Sequence, residues 1–127
     1  MWQRGIAQRR RLRFLVMKQY LNSEQTAKLI ELGFEKPKMA APALKWVDGE
    51  PTFELQYTIG ELIEMLPRVY IKCEIVYVLN IEAWDNHKGW DVQYFDGIDT
   101  IAHYTPANEL IDALWVMIVK LEEEGVI

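Results

Sequence analysis

Three side chains in this chain have ready nucleophilic or proton-transfer chemistry near neutral pH: Cys73, His87 and His103. Catalysis by such groups needs a nucleophile and a base within hydrogen-bond reach, and a third group to orient the base. Cys73 lies in an alternating run between Ile71 and Ile75, which predicts a small buried core side chain. His87 belongs to Asp85-Asn86-His87-Lys88-Gly89, with Asp91 close behind. These carboxylates and the imidazole suit acid–base work or weak metal binding, but Asp, Asn and Gly are also what a turn requires, and the turn is preferred. His103 pairs with Trp90 in the expected strand register and lies near Asp99. A buried His beside an Asp can act as a base or proton switch. A His bonded locally at the end of a sheet is the simpler reading. Catalytic, cofactor and metal-ligating residues are therefore assigned to no position. One cysteine permits neither an intrachain disulfide nor a multi-cysteine zinc site. Gly-rich phosphate loops and serine nucleophile elbows are absent from the sequence.

The aromatic residues suggest binding rather than catalysis. Tyr70, Trp84 and Phe95 fall on the nominally outer face of the expected strands, with Val76 and Val78 between the first two. Trp and Tyr are over-represented among residues that dominate protein interfaces. These five residues are the candidate protein-binding or self-association surface; the competing reading is that a helix from residues 1–33 covers them.

Charge is unevenly placed. Residues 1–18 hold Arg4, Arg9, Arg10, Arg11, Arg13 and Lys18 and no acid, whereas the whole chain carries 14 basic and 19 acidic groups. The remainder is strongly acidic and repels a phosphate backbone. Arg9, Arg10, Arg11 and Arg13 are the candidate nucleic-acid contacts. Met17-Lys18 is an alternative start, which would make residues 1–16 an artefact of gene calling. The chain thus divides into an Arg-rich arm, 1–16, and a single domain, 17–127. Its apolar runs are too short to span a bilayer, so no membrane partner and a cytoplasmic location are expected.

The elements that must position these residues follow from periodicity and caps. Asn22 and Gln25 form a capping box for a helix that Gly33 stops. Asp48-Gly49 predicts a type I′ hairpin over 44–57, pairing Leu44 with Phe53 and Trp46 with Pro51. Thr58 and Glu61 cap a short helix whose apolar face is Ile59, Leu62, Ile63 and Leu66. Residues 69–84 read as one long strand, with Val69, Ile71, Cys73, Ile75, Tyr77, Leu79, Ile81 and Ala83 facing the core. Strands over 90–95 and 98–104 then turn at Asp96-Gly97. Thr105-Pro106 caps a last helix with the stripe Leu110, Ile111, Leu114, Met117, Ile118 and Leu121. Glu122, Glu123 and Glu124 sit at the unfavourable end of that helix dipole. The expected fold is α+β: an antiparallel sheet of about five strands, a β-hairpin plus a three-stranded meander, packed by two or three helices in the order α-β-β-α-β-β-β-α.

Three segments carry a resemblance: Leu21-Asn-Ser-Glu-Gln-Thr-Ala-Lys-Leu-Ile-Glu-Leu-Gly33, Tyr57-Thr-Ile-Gly-Glu-Leu-Ile-Glu-Met-Leu-Pro67, and Glu109-Leu-Ile-Asp-Ala-Leu-Trp115 running to Glu124-Gly125. In these the chain resembles small uncharacterised proteins from prophages and mobile elements of gut Bacteroides-type bacteria. The resemblance implies a mobile-element origin and brings no activity, cofactor or catalytic residue with it.

The expected function is that of a small non-enzymatic interaction or accessory protein of a prophage or mobile element, which binds another protein or itself as a homodimer. The alternatives are nucleic-acid binding through the Arg-rich arm, and a hydrolase-like enzyme using His103 or His87 with Asp85, Asp91 or Asp99.

Overall fold

A computed structural model describes residues 17–38 and 40–127, without the side chains of residues 40–45, 47 and 52–54. Three helices and six strands follow in the order α1 (Ser23–Glu31), β1 (Ala40–Val47), β2 (Glu50–Leu55), α2 (Ile59–Met65), β3 (Val69–Lys72), β4 (Ile75–Ala83), β5 (Trp90–Phe95), β6 (Ile101–Ala107) and α3 (Leu110–Glu123). The class is α+β, as expected.

Both capping boxes form. Asn22 accepts from the Gln25 backbone N–H at 2.8 Å while the Gln25 side chain accepts from the Asn22 N–H. Thr58 and Glu61 repeat the arrangement at α2. Each box satisfies two backbone donors that a helix start otherwise leaves bare. Asp48 and Gly49 both have positive φ, 51° and 79°, and the hairpin register pairs Leu44 with Phe53 and Trp46 with Pro51. That hairpin forms a separate two-stranded sheet. The main sheet is a four-stranded antiparallel meander in the order β3-β4-β5-β6.

The expected long strand over 69–84 is in fact two strands. Cys73 and Glu74 adopt φ of 51° and 66°, and Lys72 pairs directly with Ile75. This is a two-residue turn with both central residues left-handed, the type I′ geometry that matches the twist of the flanking strands. Neither residue is a glycine or an asparagine, so the sequence carries no turn signal there. The reversal changes the parity of β3. Tyr70 pairs with Tyr77, and both are buried in the core, whereas Val69 and Ile71 are exposed. Cys73 stands exposed at the turn rather than in the core.

The second correction concerns β5 and β6. Asp96-Gly97 is not a two-residue turn. The Asp96 carboxylate accepts the backbone N–H groups of Ile98, Asp99 and Thr100 at 2.9–3.0 Å, and these bonds hold its pKa below the usual carboxylate value. The loop therefore runs over residues 96–100. It delays β6, so that His103 faces Tyr94 and Trp90 faces Ala107. A bulge between Tyr94 and Phe95 brings Phe95 opposite Ile101. Strand β6 then continues through Thr105-Pro106 instead of yielding to a helix. Pro106 is tolerated because β6 is an edge strand. Thr105 is buried, with its hydroxyl 3.2 Å from the Val92 carbonyl and 3.0 Å from that of Ala113. Helix α3 begins behind Glu109, which makes no side-chain cap. Its carboxylate accepts the Lys18 backbone N–H instead.

The core lies between the inner face of the sheet and α3. Leu110, Ile111, Leu114, Met117, Ile118 and Leu121 are all buried, as the stripe predicts. Val92 and Tyr94 meet them from β5, and Leu62 and Leu66 from α2 and its end. Each such side chain contributes roughly 1.5–3 kcal/mol on burial. Helix α1 is tied to α3 by Gln25, whose amide donates to Asp112 at 2.9 Å, and by Trp115, whose indole donates to the Gln25 carbonyl at 3.1 Å.

Candidate interaction face

One face of the four-stranded sheet carries α3. The opposite face has no helix upon it among the described residues. Strand alternation and the register define what it presents. The row Val69–Val78–Phe95–Ile101 crosses all four strands, and Ile71–Val76 lies next to it across β3 and β4. Beyond, toward the other end of the strands, come Asn80–Gln93–Tyr104 and then Glu82–Asp91–Pro106. The face is therefore divided: apolar at the end of the β3–β4 turn, polar and acidic at the other.

The apolar half is open to solvent. Val69, Ile71, Val76, Val78 and Ile101 are 47%, 66%, 50%, 52% and 47% exposed, and Phe95 is half-buried. Ile98, in the loop at the same end, is 84% exposed. A hollow of about 270 Å³ beside this row is lined by Val78, Leu79, Asn80, Phe95, Asp96 and Gly97. Contiguous exposed apolar patches larger than a few hundred Å² are uncommon on monomers and mark binding sites more often than chance.

At the polar end, Asp91 organises the surface. Its Oδ1 accepts from Trp84 Nε1 and from the Tyr104 hydroxyl, both at 2.8 Å. Asp91 beside the phenol raises the pKa of Tyr104. Trp84 lies past the end of β4 with its ring over Gly89, where a Cβ would come within 2.4 Å of the ring.

Of the residues singled out from sequence, the structure brings Val76, Val78 and Phe95 onto one face. Trp84 sits at the far, polar end of the sheet, half-buried and fixed by Asp91. Tyr70 is corrected: it is 8% exposed on the inner face, and its ring packs on Tyr77, Tyr94 and His103 at centroid distances of 5.9, 5.8 and 5.5 Å. Sequence reasoning missed Val69, Ile71 and Ile101 as surface residues. The only signal for the first two would have been a turn at Cys73-Glu74, and their chemistry gives none. Arg9, Arg10, Arg11 and Arg13 lie outside the described residues.

His103 does not meet Asp99 or Trp90. Its ring is packed on Tyr70, and its Nε2 is 2.9 Å from Glu124 Oε2. The two atoms are close but lack hydrogen-bond alignment, and the contact is an ion pair only when the imidazole is protonated. It sets an imidazole against the C-terminal end of α3, where the sequence carries a run of glutamates. Asp99 bonds Thr100 instead. His87 has positive φ, 58°, within the turn that the sequence predicts.

A second hollow of about 270 Å³ lies between the loop after α1 and α2, lined by Phe34, Lys36, Tyr57, Glu61, Glu64 and Met65 among others. The Tyr57 hydroxyl donates to the Glu35 carbonyl. Burial, and then the nearby Glu61 and Glu35 carboxylates, raise its pKa. Among the described residues there is no group of three or more His, Cys, Asp or Glu side chains able to hold a metal ion, and no helix long and apolar enough to cross a membrane. Comparison with protein-family models, curated proteins and solved structures gives no match to this chain.

Proposed function

We propose that the protein is a non-enzymatic interaction module that binds protein through the outer face of its four-stranded sheet. The observation that supports this most is the apolar row Val69–Val78–Phe95–Ile101, which runs across every strand and lies open to solvent. Leaving that much apolar surface in water forgoes about 25 cal/mol for every Å² that could be buried. An accessory role in a prophage or mobile element, in a reducing cytoplasm, belongs to the same reading. It rests on the helix motifs over 21–33, 57–67 and 109–125.

Replacing Val78 by Glu places a charge in the middle of the row without touching the core. Tagged wild-type and Val78→Glu proteins, exposed to lysate of a Bacteroides-type host, should differ in the proteins they retain. Equal retention by both would overturn the proposal. Retention of nucleic acid instead, lost on deleting residues 1–16, would transfer the function to Arg9, Arg10, Arg11 and Arg13.

A further inference from the structure

We infer that the chain's own Arg-rich arm, residues 1–16, docks on the outer face of the sheet, and that a protein partner gains the face by displacing it. The inference rests on the proposed binding role of that face and adds its control.

Charge on the face calls for a cation. Glu82 and Asp91 are its two charged side chains, and they stand directly opposite each other across β4 and β5. Like charges so placed destabilise a sheet. Glu82 accepts from the Asn80 amide at 3.2 Å, and Asp91 accepts from Trp84 and Tyr104. Neither carboxylate forms an ion pair among the described residues. The rim at the apolar end is acidic as well. Glu74 and Asp99 are exposed there, beside Asp96, whose pKa is lowered by its bonds to backbone N–H groups. No lysine or arginine lies in the rows of the face; Arg68, Lys72, Lys88 and Lys120 stand at its margins.

The arm has the complementary composition, in the order the face requires. It carries Arg4, Arg9, Arg10, Arg11 and Arg13, no acid, and the apolar residues Trp2 and Ile6 toward its start. It joins the described residues at the acidic end of the sheet. There the Lys18 backbone N–H donates to Glu109, just past the end of β6, and Lys18 Nζ bonds Asp112 at 2.8 Å. Ala107 at the end of β6 pairs with Trp90, next to Asp91. Sixteen residues reach at most about 55 Å. Glu82 and Val78, which mark the acidic and the apolar rows, are about 13 Å apart along β4. Arg13 to Arg9 come first along the path from Met17 and meet Glu82 and Asp91 in charge-assisted pairs. Ile6 and Trp2 lie up to about 10 and 23 Å beyond Arg9, enough to reach the apolar rows. The hollow of about 270 Å³ beside Phe95 offers a recess for an aromatic ring, and Asp96 at its edge offers a partner for Arg4.

Such a cover is displaceable. Exposed ion pairs contribute little each and fade with salt. Attachment to the same chain supplies an effective concentration in the mM range. The arm therefore holds the face when nothing else is present and yields to a partner that binds more tightly.

The test uses Cys73, the one thiol of the chain, exposed at the β3–β4 turn by the apolar end of the face. In the full chain a nitroxide on Cys73 should broaden the amide NMR signals of residues 1–8 at about 0.01 M salt, and several-fold less at about 1 M. Arg9→Glu, Arg10→Glu, Arg11→Glu and Arg13→Glu together should abolish the broadening, and the four corresponding Lys substitutions should keep it. Absence of broadening at low salt, or broadening that survives the change to Glu, overturns the inference. So does broadening in an isotope-labelled chain without nitroxide when it is mixed with unlabelled nitroxide-bearing chain, because the arm then sits on a second copy. Displacement is read by capture: the four-Glu variant should retain several-fold more than wild type of the protein whose retention Val78→Glu abolishes, and equal retention overturns it. Absence of broadening with capture still lost in Val78→Glu removes the arm and leaves the binding face. Broadening with equal capture by wild type and Val78→Glu keeps the docked arm and removes the partner.

Discussion

Gly89 and Trp84 show how much a single position can fix. The Trp84 ring occupies the space a side chain at residue 89 would need, with its nearest carbon 2.4 Å from a Cβ there. Gly89→Ala must displace the indole and break its bond to Asp91, at a cost of about 1–3 kcal/mol for overpacking. A shift in tryptophan emission together with a lower urea midpoint would be the expected signature. Tyr94 is the second such position. Its hydroxyl donates to the Pro67 carbonyl at 2.6 Å, and burial pushes its pKa well above the ordinary 10. Tyr57 shifts the same way. In both cases the folded value exceeds the unfolded one. The stability these phenols contribute is therefore complete below about pH 10 and declines as pH rises further, because unfolded tyrosines ionise first. Unfolding followed between pH 8 and pH 11.5 should show a flat region and then a fall, with tyrosinate absorbance appearing together with unfolding. Tyr94→Phe, which leaves the Pro67 carbonyl without its donor, should cost about 1–2 kcal/mol at neutral pH and flatten that fall. None of these three roles is visible in the sequence, since each depends on a partner tens of residues away or on the opposite side of a turn.

At the level of elements, the helices, the Asp48-Gly49 hairpin and the turn over 85–89 were legible, and the turns at 73–74 and 96–100 were not. Asn22 with Gln25 and Thr58 with Glu61 are local patterns, and both boxes form where the spacing predicts. The α3 stripe is also local, and all six of its apolar positions are buried. Thr105-Pro106 misled because a cap followed by proline looks the same at an edge strand as at a helix start, and only the pairing of Thr105 with Val92 decides between them. The turn at Cys73-Glu74 is the larger failure. Two non-glycine residues hold φ of 51° and 66°, each against a preference of about 1–2 kcal/mol for the right-handed region. Cross-strand pairing of Tyr70 with Tyr77 and burial of both outweigh that local cost. It follows that Glu74→Gly should stabilise the protein by about 1 kcal/mol, raising its thermal midpoint by several degrees, with the β3–β4 register unchanged. A loss of stability would mean that the Glu74 side chain makes a contribution the backbone geometry does not reveal.

The whole molecule is asymmetric about its sheet. Truncation on the inner side should be costly: Leu114→Ala, fully buried, is expected to lose about 2–5 kcal/mol in urea denaturation. Val76→Thr and Val78→Thr, half exposed on the outer side, should change monomer stability by less than about 0.5 kcal/mol. Similar costs on the two sides would mean that the outer face is covered within the monomer, and the interaction reading would fail with it. The sequence alone could settle the α+β class, the three helices with two of their N-caps, the first hairpin with its register and the inward stripe of α3. All of these depend on neighbours within a few residues, where propensity, capping and periodicity act directly. Only the tertiary structure decided the separation of the hairpin from the main sheet, the break at Cys73-Glu74, the loop built on Asp96 and the parity of β3. Those features are set by which distant strands exchange hydrogen bonds, and a change of one residue in that exchange carries every side chain of a strand to the other face. That is why Tyr70, which alternation places outside, lies in the core, while Val69 and Ile71, which it places inside, complete the exposed apolar half of the outer face.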